Sequence, residues 1–249
     1  MIDQNTLVRE AVVLAAGLGT RMQPLTLTRP KPLIEVASKT LLDHALDALD
    51  MAEVSDVVTN VHYLPDQIIQ HVVARQQPRV RISDERSALL DSGGGVKKAI
   101  QRFSGDRFFI LNADSFWRDA DHSNLHKMMA QWDPKKMDLL LLVCRADQAT
   151  GFHGSGDFFM SEDQQLVRRG SAPSAPYIYS GAILAKPELF QSQSDTVFSL
   201  NRLFDAAIFN NRLYGCELDG IWLHVGTPDA IVEAEAVLLQ FEQERQPAG

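Results

Sequence analysis

Three apolar runs decide what this chain can become. They are "EAVVLAA" at 10–16, "DRFFILNAD" at 106–114 and "MDLLLLVCRA" at 137–146. Their apolar stretches are too continuous for strands with one wet face. Strands of that kind are covered on both sides, as in a parallel sheet held between helices. The intervening segments supply helices. Thr40 to Ala52 sets Leu42, Ala45, Leu46 and Leu49 on one helical face. "PDQIIQHVVARQ" carries Pro65 near its start, a position that proline tolerates. "VSDVVTN" and "RVRI" read as further strands. "GGGVKKAIQRF" reads as a glycine loop, with Ser92 as cap, feeding a helix. The order up to Asp114 is therefore β-α-β-α-β-α-β, which predicts a parallel sheet with right-handed crossovers.

Past Asp114 the pattern is less regular. "GFHGSGDFFMSEDQQLVRRG" predicts a hairpin turning near Glu162 and Asp163, and "PYIYSGAILA" and "RLYGCEL" predict strands. "GIWLHVGTPDAIVEAEAVLLQFEQER" predicts a strand and a long final helix, with Thr227 as cap and Pro228 at the first helical position. No repeat, low-complexity tract or linker interrupts the 249 residues. One α/β domain over 1–249 is expected, with a Rossmann-like, mostly parallel sheet flanked by helices and a small β-rich part.

Composition removes several function classes. The net charge of −8 carries no basic surplus or stripe, so a nucleic-acid partner is not expected. The longest aliphatic run, "LLLLV" at 139–143, is far short of the roughly 20 residues that span a bilayer. "MIDQNTLVRE" lacks the features of a signal peptide. Cys144 and Cys216 sit in strand-like surroundings and read as buried reduced thiols, which fits a cytoplasmic protein.

"LAAGLGTRMQPLTLTRPKPL" (14–33) follows the first strand, at the sheet edge where open α/β folds bind ligands. It is not a dinucleotide fingerprint, because Met22 stands where a third glycine is needed, and it lacks the GK[ST] of a Walker loop. Pro24, Pro30 and Pro32 oppose helix, so an extended, proline-stiffened loop with two fixed cations, Arg21 and Lys31, is expected.

Over about 20 consecutive positions this stretch resembles the signature of the sugar-1-phosphate nucleotidyltransferases. The resemblance implies an enzyme that joins a nucleoside triphosphate to a sugar 1-phosphate and releases pyrophosphate. It implies that Leu14, Ala15, Ala16 and Gly17 line the base and ribose. Gly19, Thr20 and Arg21 would wrap the triphosphate, and Lys31 would reach the phosphates at the reacting centre. In "LLDSGGGVKKAI", Gly93 and Gly94 would approach the nucleotide. In "ILNADSFW", Asp114 would hold magnesium, and Asn112 would face the sugar. By the same resemblance, residues 1–120 mainly bind nucleotide and 137–227 mainly bind sugar.

"GFHGSGDFF" and "YIYSGAIL" are similar to segments of a narrower group, the N-acetylmuramate-1-phosphate uridylyltransferases. On that likeness Asp157, Ser180 and Gly181 would face the sugar, and UTP with N-acetylmuramate 1-phosphate would be the substrates. Mannose-1-phosphate guanylyl transfer and glucose-1-phosphate thymidylyl transfer stay open.

One departure stands out. The family has an aspartate before "VGT", and here that position is His224, in "WLHVGTPDAI". Asp219 lies five residues earlier and would point to the opposite face of a regular strand. Three readings follow. His224 ligates the metal, which favours manganese. Or it contacts phosphate or sugar while Asp114, water and substrate hold magnesium. Or the site is impaired and the protein only binds nucleotide. The oligomeric state is not legible, because the apolar face of the last helix could cover its own core or a second subunit.

Overall fold

The computed structural model describes residues 7–245. Its strands are β1 (Glu10–Leu14), β2 (Glu35–Val36), β3 (Lys39–Thr40), β4 (Asp56–Val61), β5 (Arg79–Asp84), β6 (Phe108–Asn112), β7 (Ser115–Asp119), β8 (Leu139–Arg145), β9 (Ala149–Thr150), β10 (Phe158–Met160), β11 (Leu166–Arg168), β12 (Tyr177–Ala185), β13 (Leu213–Glu217) and β14 (Gly220–His224). Its helices are α1 (Leu41–Met51), α2 (Pro65–Val72), α3 (Asp91–Ala99), α4 (Asn124–Gln131), α5 (Glu188–Gln191), α6 (Leu200–Phe209) and α7 (Asp229–Arg245).

Nine strands form one sheet, in the order β11-β10-β12-β6-β1-β4-β5, with β8 beside β12 and β13 beside β8. The predicted parallel part is β6-β1-β4-β5. Beyond it the chain departs from a purely parallel sheet, because β12 enters antiparallel between β6 and β8. The strands of the irregular second half thus extend the same sheet, through β8, β10, β11, β12 and β13. A smaller sheet, β7-β14-β9, stands beside it.

The apolar runs behave as their patterning requires. Ala11 and Val13 enter one core layer, with α1 and α2, and Val12 enters the other, with α3 and α6. A third cluster joins Met22, Ile34, Phe116 and Leu223 to Ala234 and Leu238 of α7. The final helix therefore covers its own chain with this face. Cys144 and Cys216 are free and buried, and burial pushes each thiol up to about 11. Among the described residues no helix is long and apolar enough to cross a membrane.

Two local expectations are corrected. The glycines at 93–95 are inside α3, and Ser92 is in its first turn. The Ser92 hydroxyl instead accepts from the Leu200 N–H at the start of α6, at 3.0 Å. The loop after β1 is not extended, because 3-10 turns occupy Thr20–Met22, Leu25–Leu27 and Lys31–Leu33. Proline's fixed φ excludes a long helix but suits such single turns.

Candidate active site

β1, β4, β5 and β6 end along one edge, and a cavity of about 560 Å³ opens there. That volume is in the range of small-molecule sites. Leu14–Gly17 form one wall, and Asn112–Asp114 with Lys31 form another. Asn60 and Glu85, then Leu89, Asp91, Ser92 and Val197, close the rest.

The first loop is held from several sides. The Ala15 N–H donates to Asn60 Oδ1 at 2.8 Å, and the Ala113 N–H donates to the Leu14 carbonyl at 3.2 Å. Thr26 Oγ1 donates to the Gly19 carbonyl at 2.8 Å, and the Tyr63 hydroxyl donates to the Thr26 carbonyl at 2.8 Å. Gly19 has φ +65°, and a Cβ there would stand 3.0 Å from both Lys31 Cβ and Thr26 Cγ2. This position needs glycine so that the chain can fold back over Lys31. Gly17 differs, since a Cβ there would meet nothing within 4 Å. Its openness is toward the cavity it lines. Thr20 and Arg21 are exposed in the first 3-10 turn.

Asp114 lies where the chain leaves β6 for β7. Lys31 Nζ donates to its Oδ2 at 3.0 Å, with side chains 11% and 33% exposed respectively. Burial pushes the Asp114 carboxyl up. The charges of Lys31, His224 and Arg21 outweigh that, so its pKa is below the usual carboxylate range. His224 ends β14, opposite Ser115 of β7. Burial lowers the pKa of its imidazole, opposed by Asp114, and Lys31 and Arg21 lower it further. Gly226 brings the last partners together: a Cβ there would lie 2.7 Å from His224 Nε2 and 3.6 Å from Arg21 Nη1. Arg21 and His224, more than 200 residues apart in sequence, thus approach each other at Gly226.

Among the described residues no group of three or more His, Cys, Asp or Glu side chains gathers here, so a divalent cation would rest on Asp114, with substrate phosphates and water completing its shell. A carboxylate completed by phosphate oxygens and water is how magnesium is commonly held. A neutral imidazole suits manganese better. Asp219 is not part of this shell. Its N–H donates to Asn124 Oδ1 at 2.8 Å and its carbonyl accepts from Asn124 Nδ2 at 2.8 Å, which tie it to α4.

Other expected site residues are placed differently. A Cβ on Gly93 would meet the Phe198 ring at 2.3 Å, and one on Gly94 would meet the Thr196 carbonyl at 2.1 Å. Their N–H groups donate to the Phe198 carbonyl at 2.8 and 3.0 Å. Both are packed against the segment that carries Val197 to the cavity. Asp157 Oδ2 accepts from the Tyr179 N–H at 3.0 Å. Ser180 is fully buried and its hydroxyl donates to the Leu142 carbonyl at 2.7 Å, which holds β12 to β8. Gly181, at φ +95°, lies against Asn112 and Ser115, where a Cβ would be 3.4 Å from Asn112 Cβ and 2.5 Å from Ser115 Oγ.

Glu85 was not anticipated. It follows β5 in the charged run "SDERS". In the fold it is 1% exposed, and its Oε1 accepts from Asn60 Nδ2 at 2.9 Å. Burial raises its pKa, against the hydrogen bond from Asn60 and smaller opposing contributions. Oε2 is buried and has no direct hydrogen-bond partner among the described residues, although the nearby Leu90 backbone N–H helps to lower the carboxyl's pKa.

Comparison with known proteins gives the family and the fold. Residues 11–197 match the MobA-like NTP transferase domain. The chain is 42% identical over 234 residues to the N-acetylmuramate alpha-1-phosphate uridylyltransferase of Caulobacter vibrioides, covering 92% of this chain and 97% of that protein. It is 30% identical over 231 residues to the protein of the same name from Neisseria meningitidis serogroup B, with coverage of 92% and 97%. The crystal structure of HddC from Yersinia pseudotuberculosis shares the fold, with a TM-score of 0.75 at 20% identity over 93% of this chain and 100% of that one.

Proposed function

The chain belongs to the sugar-1-phosphate nucleotidyltransferase family, and from that premise we propose that it joins UTP to N-acetylmuramate 1-phosphate and releases pyrophosphate. The observation that carries the reading is the Lys31–Asp114 ion pair on the wall of the cavity at the ends of the parallel strands. Nucleotidyl transfer needs little covalent work from a protein. It needs two anionic phosphates brought into line and their charge offset.

In this reading a phosphate oxygen of the sugar 1-phosphate attacks the α-phosphorus, a new P–O bond forms, and the bond to the β-phosphate oxygen breaks. The electron pair leaves with pyrophosphate. Arg21 offers a bidentate fork to the leaving phosphates, and Lys31 a point charge at the reacting centre. The attacking phosphate is largely ionised near neutrality, its second pKa being about 6, so no general base is required. Asp114 would hold the divalent cation, with His224 beside it. When bound, that cation supplies counter-charge between the two phosphates. Residues 1–120 serve mainly the nucleotide and 137–227 mainly the sugar.

Uridine is favoured by the likeness to the Caulobacter vibrioides protein, and Glu85 narrows the base to uracil, thymine or guanine. A carboxylate acceptor suits the imide N–H of uracil, and equally thymine or the N1–H of guanine. It opposes cytosine and adenine, which present acceptors at the matching ring positions. Guanylyl or thymidylyl transfer is the second reading.

The test is pyrophosphate release by the purified protein. Five nucleoside triphosphates are paired with a panel of sugar 1-phosphates, with magnesium and with manganese. A clear signal for UTP with N-acetylmuramate 1-phosphate is expected. A signal only with GTP and mannose 1-phosphate refutes the substrate pair. Nucleotide binding without pyrophosphate release from any pair refutes the reaction and leaves a binding protein.

A further inference from the structure

Gly93 and Gly94 admit a strap of the chain, residues 192–199 between α5 and α6, across the start of α3. A Cβ on either glycine would collide with it, at 2.3 Å from the Phe198 ring and 2.1 Å from the Thr196 carbonyl. The Phe198 N–H donates to the Leu90 carbonyl at 3.3 Å, and the Phe198 carbonyl accepts from both glycine N–H groups. Lys97 Nζ donates to the carbonyls of Gln193 and Asp195, and Arg202 Nη1 donates to Asp195 Oδ2 at 2.6 Å. The strap is therefore pinned on both sides of Val197.

Val197 lines the cavity and is 55% exposed. Leu89, from the connection between β5 and α3, lines it too and is 42% exposed. A single exposed aliphatic side chain needs no explanation. These two project into one cavity, and one of them is carried there by a strap that α3 can seat only through glycine. They suit an apolar occupant.

The order β6-β1-β4-β5 gives the cavity two ends. Lys31 and Asp114 stand at the β6 end. Leu89 follows β5, and the bond from Phe198 to Leu90 sets the strap beside it. This second end is unsuited to phosphate. The N–H groups of Gly93 and Gly94 are already taken, and Glu85 and Asp91 line it with carboxylates. It suits the uncharged end of a nucleotide.

Resting on the nucleotidyl-transfer reading, we propose that Val197 and Leu89 form an aliphatic cover over the face of the nucleobase. Such a cover touches the flat face of the base and none of its edge donors or acceptors. It adds affinity for any base and leaves the choice of base to other groups.

UTP is titrated with magnesium and without sugar 1-phosphate. Ribose 5-triphosphate, with the same pentose and phosphates and no base, is titrated beside it. Val197→Ser should raise the UTP Kd about 3- to 20-fold, the worth of covering part of one aliphatic side chain. The Kd of ribose 5-triphosphate should not change, and Leu89→Ser should repeat the pattern. Tm should not move in either variant, because both side chains are exposed. A UTP Kd within twofold of wild type in either variant overturns the inference. So does an equal loss for ribose 5-triphosphate, which would set the side chains against pentose or phosphate. Base-dependent losses in a protein that releases no pyrophosphate with any sugar 1-phosphate refute the transfer reading and leave the cover standing. Normal UTP affinity in the variants of an active protein overturns this inference alone.

Discussion

Replacing Lys31 by methionine tests the centre of the site, because the change keeps the aliphatic stem and removes the charge. Lys31 Nζ stands 3.0 Å from Asp114 Oδ2, with the lysine side chain 11% exposed and the aspartate 33%. Exposed ion pairs contribute about 0–1 kcal/mol, and breaking a fully buried pair from one side costs about 3–5 kcal/mol. The pair lies between these limits, which gives a loss near 2 kcal/mol. For a chain of this length that lowers Tm by about 4–8 °C. Most of the loss is the stranded carboxylate, so adding Asp114→Asn should recover part of it. The acid limb supplies an independent sign. Asp114 has a depressed carboxyl in the folded protein, so its stabilisation is present above the ordinary carboxylate value near 3.9 and lost as pH falls through the lower folded value. In Lys31→Met the carboxyl is less depressed, so that loss on acidification should shrink. Turnover should fall about 10²- to 10³-fold, as for loss of one preorganised stabilising group. Thermal unfolding across pH and pyrophosphate release read these effects. Turnover within threefold of wild type, with additive Tm changes in the double variant, would refute the reasoning.

Four other outcomes follow from the same geometry. Arg21→Ala should cut turnover at least 100-fold and shift stability by less than about 0.5 kcal/mol, because its side chain is exposed; urea unfolding checks the second half. Gly94→Ala should destabilise by about 1–3 kcal/mol, since its Cβ would stand 2.1 Å from the Thr196 carbonyl, whereas Gly17→Ala, with nothing within 4 Å, should leave Tm unchanged and raise the KM for nucleoside triphosphate. Cys144 and Cys216, pushed up to about 11, should resist alkylation at pH 8 until the protein is unfolded, as mass spectrometry of native and denatured samples would reveal. Burial lowers the His44 imidazole to about 4, so its contribution to stability is full above 6.5 and declines as pH falls from there to about 4; His44→Phe should flatten that part of the stability profile.

Much of the site was legible where chemistry is written locally. The loop from Leu14 to Leu33 carries its own glycines, prolines and cations, and Asp114 ends an apolar run whose direction follows from alternation with helices. Positions whose duty depends on distant neighbours were not legible. The helical start at Asp91 runs against the low helix propensity of Gly93, Gly94 and Gly95, and only the close approach of Phe198, Thr196 and the Asn60–Glu85 pair makes sense of them. Glu85 carried no signal of its own, because its burial depends on Asn60 of β4 while its sequence neighbours Asp84 and Arg86 are exposed. The serine of "YSG" looked like a ligand-facing polar group, yet a register break in β12 turns its hydroxyl to Leu142. His224 was visible as a departure, while the lowering of its pKa depended on the burial and cations around it.

Asp114 is also the residue at which the chain passes from the nine-stranded sheet to the three-stranded one, with its carbonyl accepting from the Val225 N–H at 3.0 Å. That position makes chain length itself a constraint. One residue inserted between β6 and β7 would invert the facing of the second strand and exchange the surroundings of Phe116 and Trp117, which lie in different core clusters. The exposed hairpin tip at 161–163, between β10 and β11, faces no such penalty, whereas Gln164 and Gln165 are tied to β13. A library of single-residue insertions should therefore be depleted at 113–115 and populated at 161–163. Lineages descended from this chain are free to vary length at that turn, but inherit the spacing at Asp114 unchanged.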